Sequence, residues 1–285
     1  MTFTHLILSA AGFRAFTFLG AIQAIRDANL HRSVRHVAGC SGGAIAAFAF
    51  CIDAEPRLIA ARCAASVRDR THGLHVVGPV RLSTLREVWN AQGVAHPDHI
   101  ERVLRDVMED ALTHRRMTLR DFAKATGREL ALWVTNLTQG RGQALTLETH
   151  PELDVVTAIL ASLAIPLIYR PVVIDDDLMV DGAVTEFLPT SAFPTAHTEQ
   201  VLLVTLPPRV ETPGPGMLNL MVAVFNASMR HRAMGEGIMS IDLPDVPLDA
   251  SDITWVRFDM NAEKVWEQFN LGHAAAAAWL TKHVS

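Results

Sequence analysis

Cysteine is scarce in this 285-residue chain, and Cys40, Cys51 and Cys63 are odd in number with no paired spacing. That excludes a disulfide framework and a C-x-x-C metal site, so a reducing, cytoplasmic setting is the expectation. A basic excess is missing too: 25 Lys+Arg stand against 30 Asp+Glu, for a formal net charge of -5. Nucleic acid is therefore not an expected partner. Lysine occurs only as Lys124, Lys264 and Lys282, a compositional bias in favour of arginine that carries no argument for phosphate recognition. Nor is there an apolar run of the length that spans a membrane; the longest, Val201 to Leu206 and Leu218 to Phe225, are strand-length or short. The apolar N-terminal stretch has no positive leader and is interrupted by Arg14, so it reads as core rather than as a signal peptide. A soluble or peripheral protein is expected.

What is present is apolar content, 49% of the residues, enough to exclude a disordered chain and to bury a sizeable core. Its pattern alternates between strand and helix. Phe3 to Leu8 is a short apolar run closed by Ser9-Ala10-Ala11-Gly12, and a helical stretch with Leu19, Ile22 and Ile25 follows. Val34 to Ala38 repeats the pattern, with a small-residue helix from Ala44 to Ala49 behind it. Two βα units so close together are typical of a parallel sheet covered by helices.

Further along, Ile100, Val103, Leu104, Val107, Met108, Ala111 and Leu112 keep a 3.6-residue period behind a capping box of Asp98 and Glu101. Leu130, Leu132 and Val134 alternate before the turn 139–142 and predict a hairpin; a helix over 153–164 stops at Pro166. A second hairpin, Val172–Ile174 and Leu178–Val180, turns at three aspartates and runs into Asp181-Gly182-Ala183. Val201 to Leu206 reads as a buried strand, Ile253 to Phe258 as another, and a helix runs from about Ala262 through Ala278. The Met-rich stretch between Met217 and Met239 reads as core filling or as a pliable lipid-facing lid.

The chemistry centres on Gly39-Cys40-Ser41-Gly42-Gly43, a G-x-S-x-G set between an apolar strand and a small-residue helix. A serine in so tight a strand-to-helix turn needs neighbours without Cβ atoms, and its hydroxyl then stands at a helix N-terminus that favours developing negative charge. Asp181 is a carboxylate at a strand end followed by glycine; taken alone it reads equally as an ordinary D-G turn. Ala10, Ala11, Gly12 and Arg14 occupy the first strand-to-helix turn, where backbone N–H groups can face an oxyanion. None of the 13 histidines has a local signature, and those following Asp181 (His197, His231, His273 and His283) are the ones open to a Ser-His-Asp arrangement.

The order of these three elements resembles the patatin-like phospholipase family: a glycine-rich oxyanion turn ending in a basic residue, then G-x-S-x-G, then a distant D-G-A or D-G-G. Phe13, Arg14 and Ala15 are similar to the turn of the related cytosolic phospholipases A2, and the stretch 158–189 is similar to the family's approach to its aspartate. The resemblance covers roughly residues 5–205 and implies an α/β domain with a mixed, largely parallel sheet, helices on both faces, and a cap-like helical and hairpin insertion at about 72–150. Residues 206–285 would be a C-terminal extension packing on the same domain.

The resemblance also implies a Ser41–Asp181 dyad, an oxyanion hole from Ala10, Ala11, Gly12, Arg14 and Gly42, with Arg14 supporting that turn or meeting a lipid phosphate, and hydrolysis of fatty-acyl esters with neither cofactor nor metal. Lipid is the implied partner, met at a membrane or micelle surface. Ala10, Ala11 and Ala15 stand where the family has glycine, which suits any of these positions whose φ is negative. The alternatives are a Ser-His-Asp esterase and a lipid-binding protein without turnover.

Overall fold

The structure, a computed structural model, describes residues 2–66, 93–95, 98–207, 239–244 and 262–284. The first part of the expected cap, the Met-rich stretch up to residue 238 and the strand expected at 253–258 lie outside these residues.

The strands are β1 (His5–Leu8), β2 (His36–Cys40), β3 (Gly93–Ala95), β4 (Glu129–Asn136), β5 (Arg141–Leu145), β6 (Leu167–Tyr169), β7 (Val172–Ile174), β8 (Asp177–Asp181), β9 (Val201–Thr205) and β10 (Met239–Asp242). The described helices are α1 (Ala15–Asp27), α2 (Gly42–Cys51), α3 (Pro56–Ser66), α4 (Asp98–Leu112), α5 (Leu119–Thr126), α6 (Val155–Ser162) and α7 (Ala262–His283). The main sheet runs β10-β9-β1-β2-β4-β8-β7, with β5 on the remaining edge of β4. β10, β9, β1, β2 and β4 are parallel, as βα connections require, whereas the antiparallel pairs are the hairpins β4–β5 and β7–β8 and the pair β4–β8 that joins them. β3 and β6 form a separate parallel pair.

Period-2 alternation separates the two faces of the sheet. Leu6, Leu8, Val37, Leu130, Leu132, Val134, Leu202 and Val204 enter the large core shared with the helices. Ile7, Ala38, Ala131, Val201 and Leu203 form the other face, against Leu188, Ala192, Phe193 and Ala196. Among the described residues that second face is met by the segment following Asp181, which includes the short 3-10 turn Thr190–Ala192. Two of the strand positions it meets are alanines, leaving room for that segment to lie close.

The β4–β5 hairpin is also displaced from its expected place. It was assigned to the cap, yet β4 is buried from Leu130 through Asn136 and sits between β2 and β5 in the main sheet. Alternation in the sequence implied one wet face, but Ala131 and Trp133 are covered as well as Leu130 and Leu132. Within the expected insertion, α4 and α5 precede this strand. In the C-terminal extension, β10 adds to the sheet edge and α7 packs along α1, burying Val265, Phe269, Ala276 and Leu280. Among the described residues, no helix is long and apolar enough to cross a membrane.

Candidate active site

β2 ends at Cys40 and α2 begins at Gly42, leaving one residue to reverse the chain: Ser41, at φ 53° and ψ -126°. An L-residue there is strained, at a cost of about 1–3 kcal/mol that the surroundings must sustain. They do so by close approach. A Cβ on Gly43 would lie 2.3 Å from the Ser9 carbonyl oxygen, so only glycine lets α2 begin directly against β1. The Ser41 N–H donates to Ser162 Oγ at 3.0 Å, and the Ser162 hydroxyl donates to the Trp133 carbonyl at 2.8 Å.

Ser162 thereby fastens the turn to β4, and sequence reasoning did not assign it this role. Its one local signal is a serine ending a helix whose one other polar residue is Thr157. Ser162→Ala removes the acceptor of one buried N–H and the donor to one buried carbonyl, each worth about 1–3 kcal/mol. A clearly lowered urea-unfolding midpoint is the expected outcome, with a fall in activity as the turn relaxes.

The placement of Asp181 follows from strand register. On one edge of β4, Trp133 pairs with Cys40 and the next residue, Val134, pairs with Asp181; the opposite edge is occupied by β5 through Ala144 and Gln143. β2 runs parallel to β4 and β8 antiparallel, so their C-terminal ends meet head-on. Ser41 and Asp181 therefore face each other although 140 positions separate them in the chain.

Asp181 is 1% exposed. Its Oδ1 accepts from the Ala183 N–H at 2.9 Å, and its Oδ2 has no hydrogen-bond partner among the described residues. Burial pushes the carboxyl up from its ordinary 3.8 to about 7, against smaller opposing effects of the Ser41 hydroxyl and the Ala183 N–H. The hydroxyl bears on the carboxyl without forming an aligned hydrogen bond. Gly182 and Ala183 are buried in the single 3-10 turn that follows.

The first strand-to-helix turn closes the site from a third side. A Cβ on Gly42 would stand 2.8 Å from the Gly12 carbonyl oxygen and 3.1 Å from the Ala11 Cβ, so the turn lies directly against the start of α2. Gly12 has φ 55°; Ala11 has φ -135° and Ala15 φ -57°, and Ala10 does not have positive φ. The alanines thus occupy only positions that an L-residue adopts freely, and glycine is kept where handedness demands it.

One residue of this turn differs from its expected part, and another takes one of its two. The Ala10 N–H donates to the Phe187 carbonyl at 2.8 Å, so Ala10 supports the turn and is not a free oxyanion donor. Arg14 is 6% exposed; its Nε donates to the Ala11 carbonyl at 3.4 Å and its Nη1 to the Pro207 carbonyl at 3.0 Å. It braces the turn against the end of β9, the first of its two expected parts, rather than reaching for a lipid phosphate.

The described histidines that follow Asp181 lie elsewhere. His273 pairs with Asp27 across α7 and α1, His283 stacks on Trp279, and His197 sits in the turn before β9; His231 is outside the described residues. Among the described residues, burial, Ser41 and Ala183 shape the environment of Asp181.

Fold and site together define a class: an α/β protein with a serine in a strained elbow, a desolvated aspartate opposite and a backbone turn beside them. The sequence pattern of the patatin-like phospholipases matches residues 6–194, and the chain belongs to that family. At lower identity it is similar to two viral proteins. A probable lipid hydrolase of Invertebrate iridescent virus 6 is 25% identical over 100 residues, 35% of this chain and 34% of the relative. An uncharacterized protein of Acanthamoeba polyphaga mimivirus is 23% identical over 198 residues, 66% of this chain and 61% of the relative. The chain thus spans less than two thirds of either.

Solved structures share the fold. VipD from Legionella pneumophila superimposes with a TM-score of 0.57 at 14% identity, covering 99% of this chain and 67% of VipD. Human GIVD cytosolic phospholipase A2 gives 0.52 at 14% identity, covering 99% and 59%. ExoU of Pseudomonas aeruginosa, solved with SpcU, gives 0.54 at 16% identity, covering 98% and 51%.

Proposed function

We propose that this protein is a serine acyl hydrolase that cleaves fatty-acyl esters of phospholipids or other glycerolipids through a Ser41–Asp181 dyad. The observation that carries the reading is the meeting of a strained serine with a buried carboxyl whose Oδ2 is left unpartnered. A carboxyl at its ordinary 3.8 is a poor base for a hydroxyl; one raised to about 7 retains basicity and is still ionised at and above neutral pH.

Ser41 Oγ attacks the acyl carbonyl while its proton passes to Asp181. The oxyanion meets the N–H groups of Gly42, Ala11 and Gly12, where α2 begins and its first N–H groups have no intrahelical acceptor. Collapse expels the alcohol, which takes the proton back from Asp181. Water then attacks the acyl-enzyme with Asp181 again as base, releasing the fatty acid and restoring Ser41. The viral relative described as a probable lipid hydrolase accords with this chemistry.

The substrate would be met at a membrane or micelle surface. A cytoplasmic setting suits the buried free thiols of Cys40 and Cys51, whose pKa values burial raises.

Incubation with a fluorophosphonate probe followed by peptide mapping tests the assignment. The expected label is on Ser41, blocked by prior exposure to a fatty-acyl ester; a label on any other residue overturns it. A lipidomic digest with the wild type beside Ser41→Ala then identifies head group and acyl position.

A further inference from the structure

The helix that ends in Ser162 is held at its other end by a partly buried ionic cluster, centred on a buried arginine, that the proposed chemistry does not use. Arg105 on α4 is 6% exposed. Its Nη2 and Nη1 donate to Asp154 Oδ1 at 3.0 Å and Oδ2 at 3.2 Å, its Nε donates to Glu101 Oε1 at 2.8 Å, and Nη1 also reaches the Arg115 carbonyl at 3.3 Å.

Asp154 is in turn the N-cap of α6: its Oδ1 accepts from the Thr157 N–H at 2.9 Å and from the Thr157 hydroxyl at 3.0 Å. α6 is eight residues long and buried at every position except Thr157. A short rod in a close-packed interior cannot yield at one end without moving the other. Its last residue is Ser162, which accepts the Ser41 N–H and donates to Trp133. An unbroken line of contacts therefore runs from Arg105 through Asp154 and α6 to the strained elbow.

We infer that Arg105 is a positioning residue for the nucleophile: through Asp154 and the rigid α6 it sets Ser162, and Ser162 holds Ser41 in its strained conformation. The kinetic side of this inference rests on the proposed role of Ser41; the structural side does not. Placement of α4 is thereby coupled to the geometry of the elbow.

Two mild variants test it. Arg105→Lys keeps the charge and loses the planar fork; Asp154→Asn keeps a good N-cap and loses the charge-assisted pair. Both are expected to speed amide hydrogen exchange in the peptide covering residues 38–44 while β9 keeps its protection. Both are expected to lower kcat by about tenfold with KM nearly unchanged, since displacements well under 1 Å are costly at a reacting centre. In a Ser162→Ala background, Arg105→Lys is expected to add no further loss, because the path it acts through is already cut.

A lower melting temperature with unaltered exchange at 38–44 overturns the inference and leaves the cluster a plain staple between α4 and α6. So does a kcat loss that simply adds to that of Ser162→Ala. Should Ser41→Ala retain activity, the functional reading fails, and the exchange measurement still decides the role of Arg105.

Discussion

Ser41→Ala is expected to reduce kcat/KM for fatty-acyl ester hydrolysis by on the order of 10⁴–10⁶-fold, the range seen when an activated serine nucleophile is removed. The size follows from the mechanism: without Oγ no acyl-enzyme forms, and the oxyanion groups alone act on a bound ester. Ser41→Gly separates this loss from misfolding. It deletes the same oxygen but relieves a residue held at φ 53° and ψ -126°. Relief of about 1–3 kcal/mol, less roughly 0.5–1 kcal/mol for the greater freedom of glycine when unfolded, leaves a net gain of order 1 kcal/mol. An inactive Ser41→Gly protein that melts a few degrees above the wild type is thus the expected pair of results, measured by ester assay and calorimetry. Activity surviving in Ser41→Ala would overturn the dyad; an unstable Ser41→Gly would mean the turn is not strained.

Asp181→Asn is expected to reduce kcat/KM by on the order of 10³–10⁴-fold, comparable to removing the carboxylate from other serine hydrolase sites. In the wild type, kcat/KM should rise about tenfold per pH unit below the carboxyl's pKa of about 7 and level off above it, because only the ionised form accepts the Ser41 proton. The residual activity of the variant should lack that inflection.

Stability should run the other way. The folded-state pKa, about 7, is above the ordinary 3.8, so both states bind the proton at pH below about 3.8 and burial of the acid then costs little. As pH rises from 4 to 7 the unfolded carboxyl ionises first and the folded state loses ground. Above 7 the full penalty applies, roughly 4 kcal/mol at about 1.36 kcal/mol per unit. Asn carries no charge to desolvate, so Asp181→Asn should be more stable than the wild type at pH 8 and close to it at pH 4. Unfolding midpoints across that range check the sign; a gap that does not widen with pH would show that Asp181 is not a desolvated acid.

The parts of the site differ in how far they could be read before folding. The elbow was legible because its constraint is local: a serine between a strand and a helix, flanked by Gly39, Gly42 and Gly43, leaves few other readings. That Gly12 is the one position of its turn with positive φ was set only by the structure. Asp181 was not separable from an ordinary D-G turn by itself. What distinguishes it is that Val134 follows Trp133 on β4, which brings β8 end to end with β2, and no pattern within β8 encodes that register.

Ala10 was expected to donate to an oxyanion and Arg14 to support the turn or meet a lipid phosphate; what decides each is Phe187 and Pro207, which engage them from distant stretches of chain. The β4–β5 hairpin was recognised from its alternation and misplaced into the cap, since burial of its second face depends on what later packs there.

The sequence by itself determined the class of fold and the tight strand–serine–helix turn at residues 39–43, because apolar periodicity and backbone sterics act over a few residues. The tertiary structure alone decided which carboxyl meets Ser41, what raises its pKa and which hydroxyl steadies the elbow. Those depend on strand register, desolvation and contacts between segments more than a hundred residues apart, and such properties exist only once the chain has closed on itself.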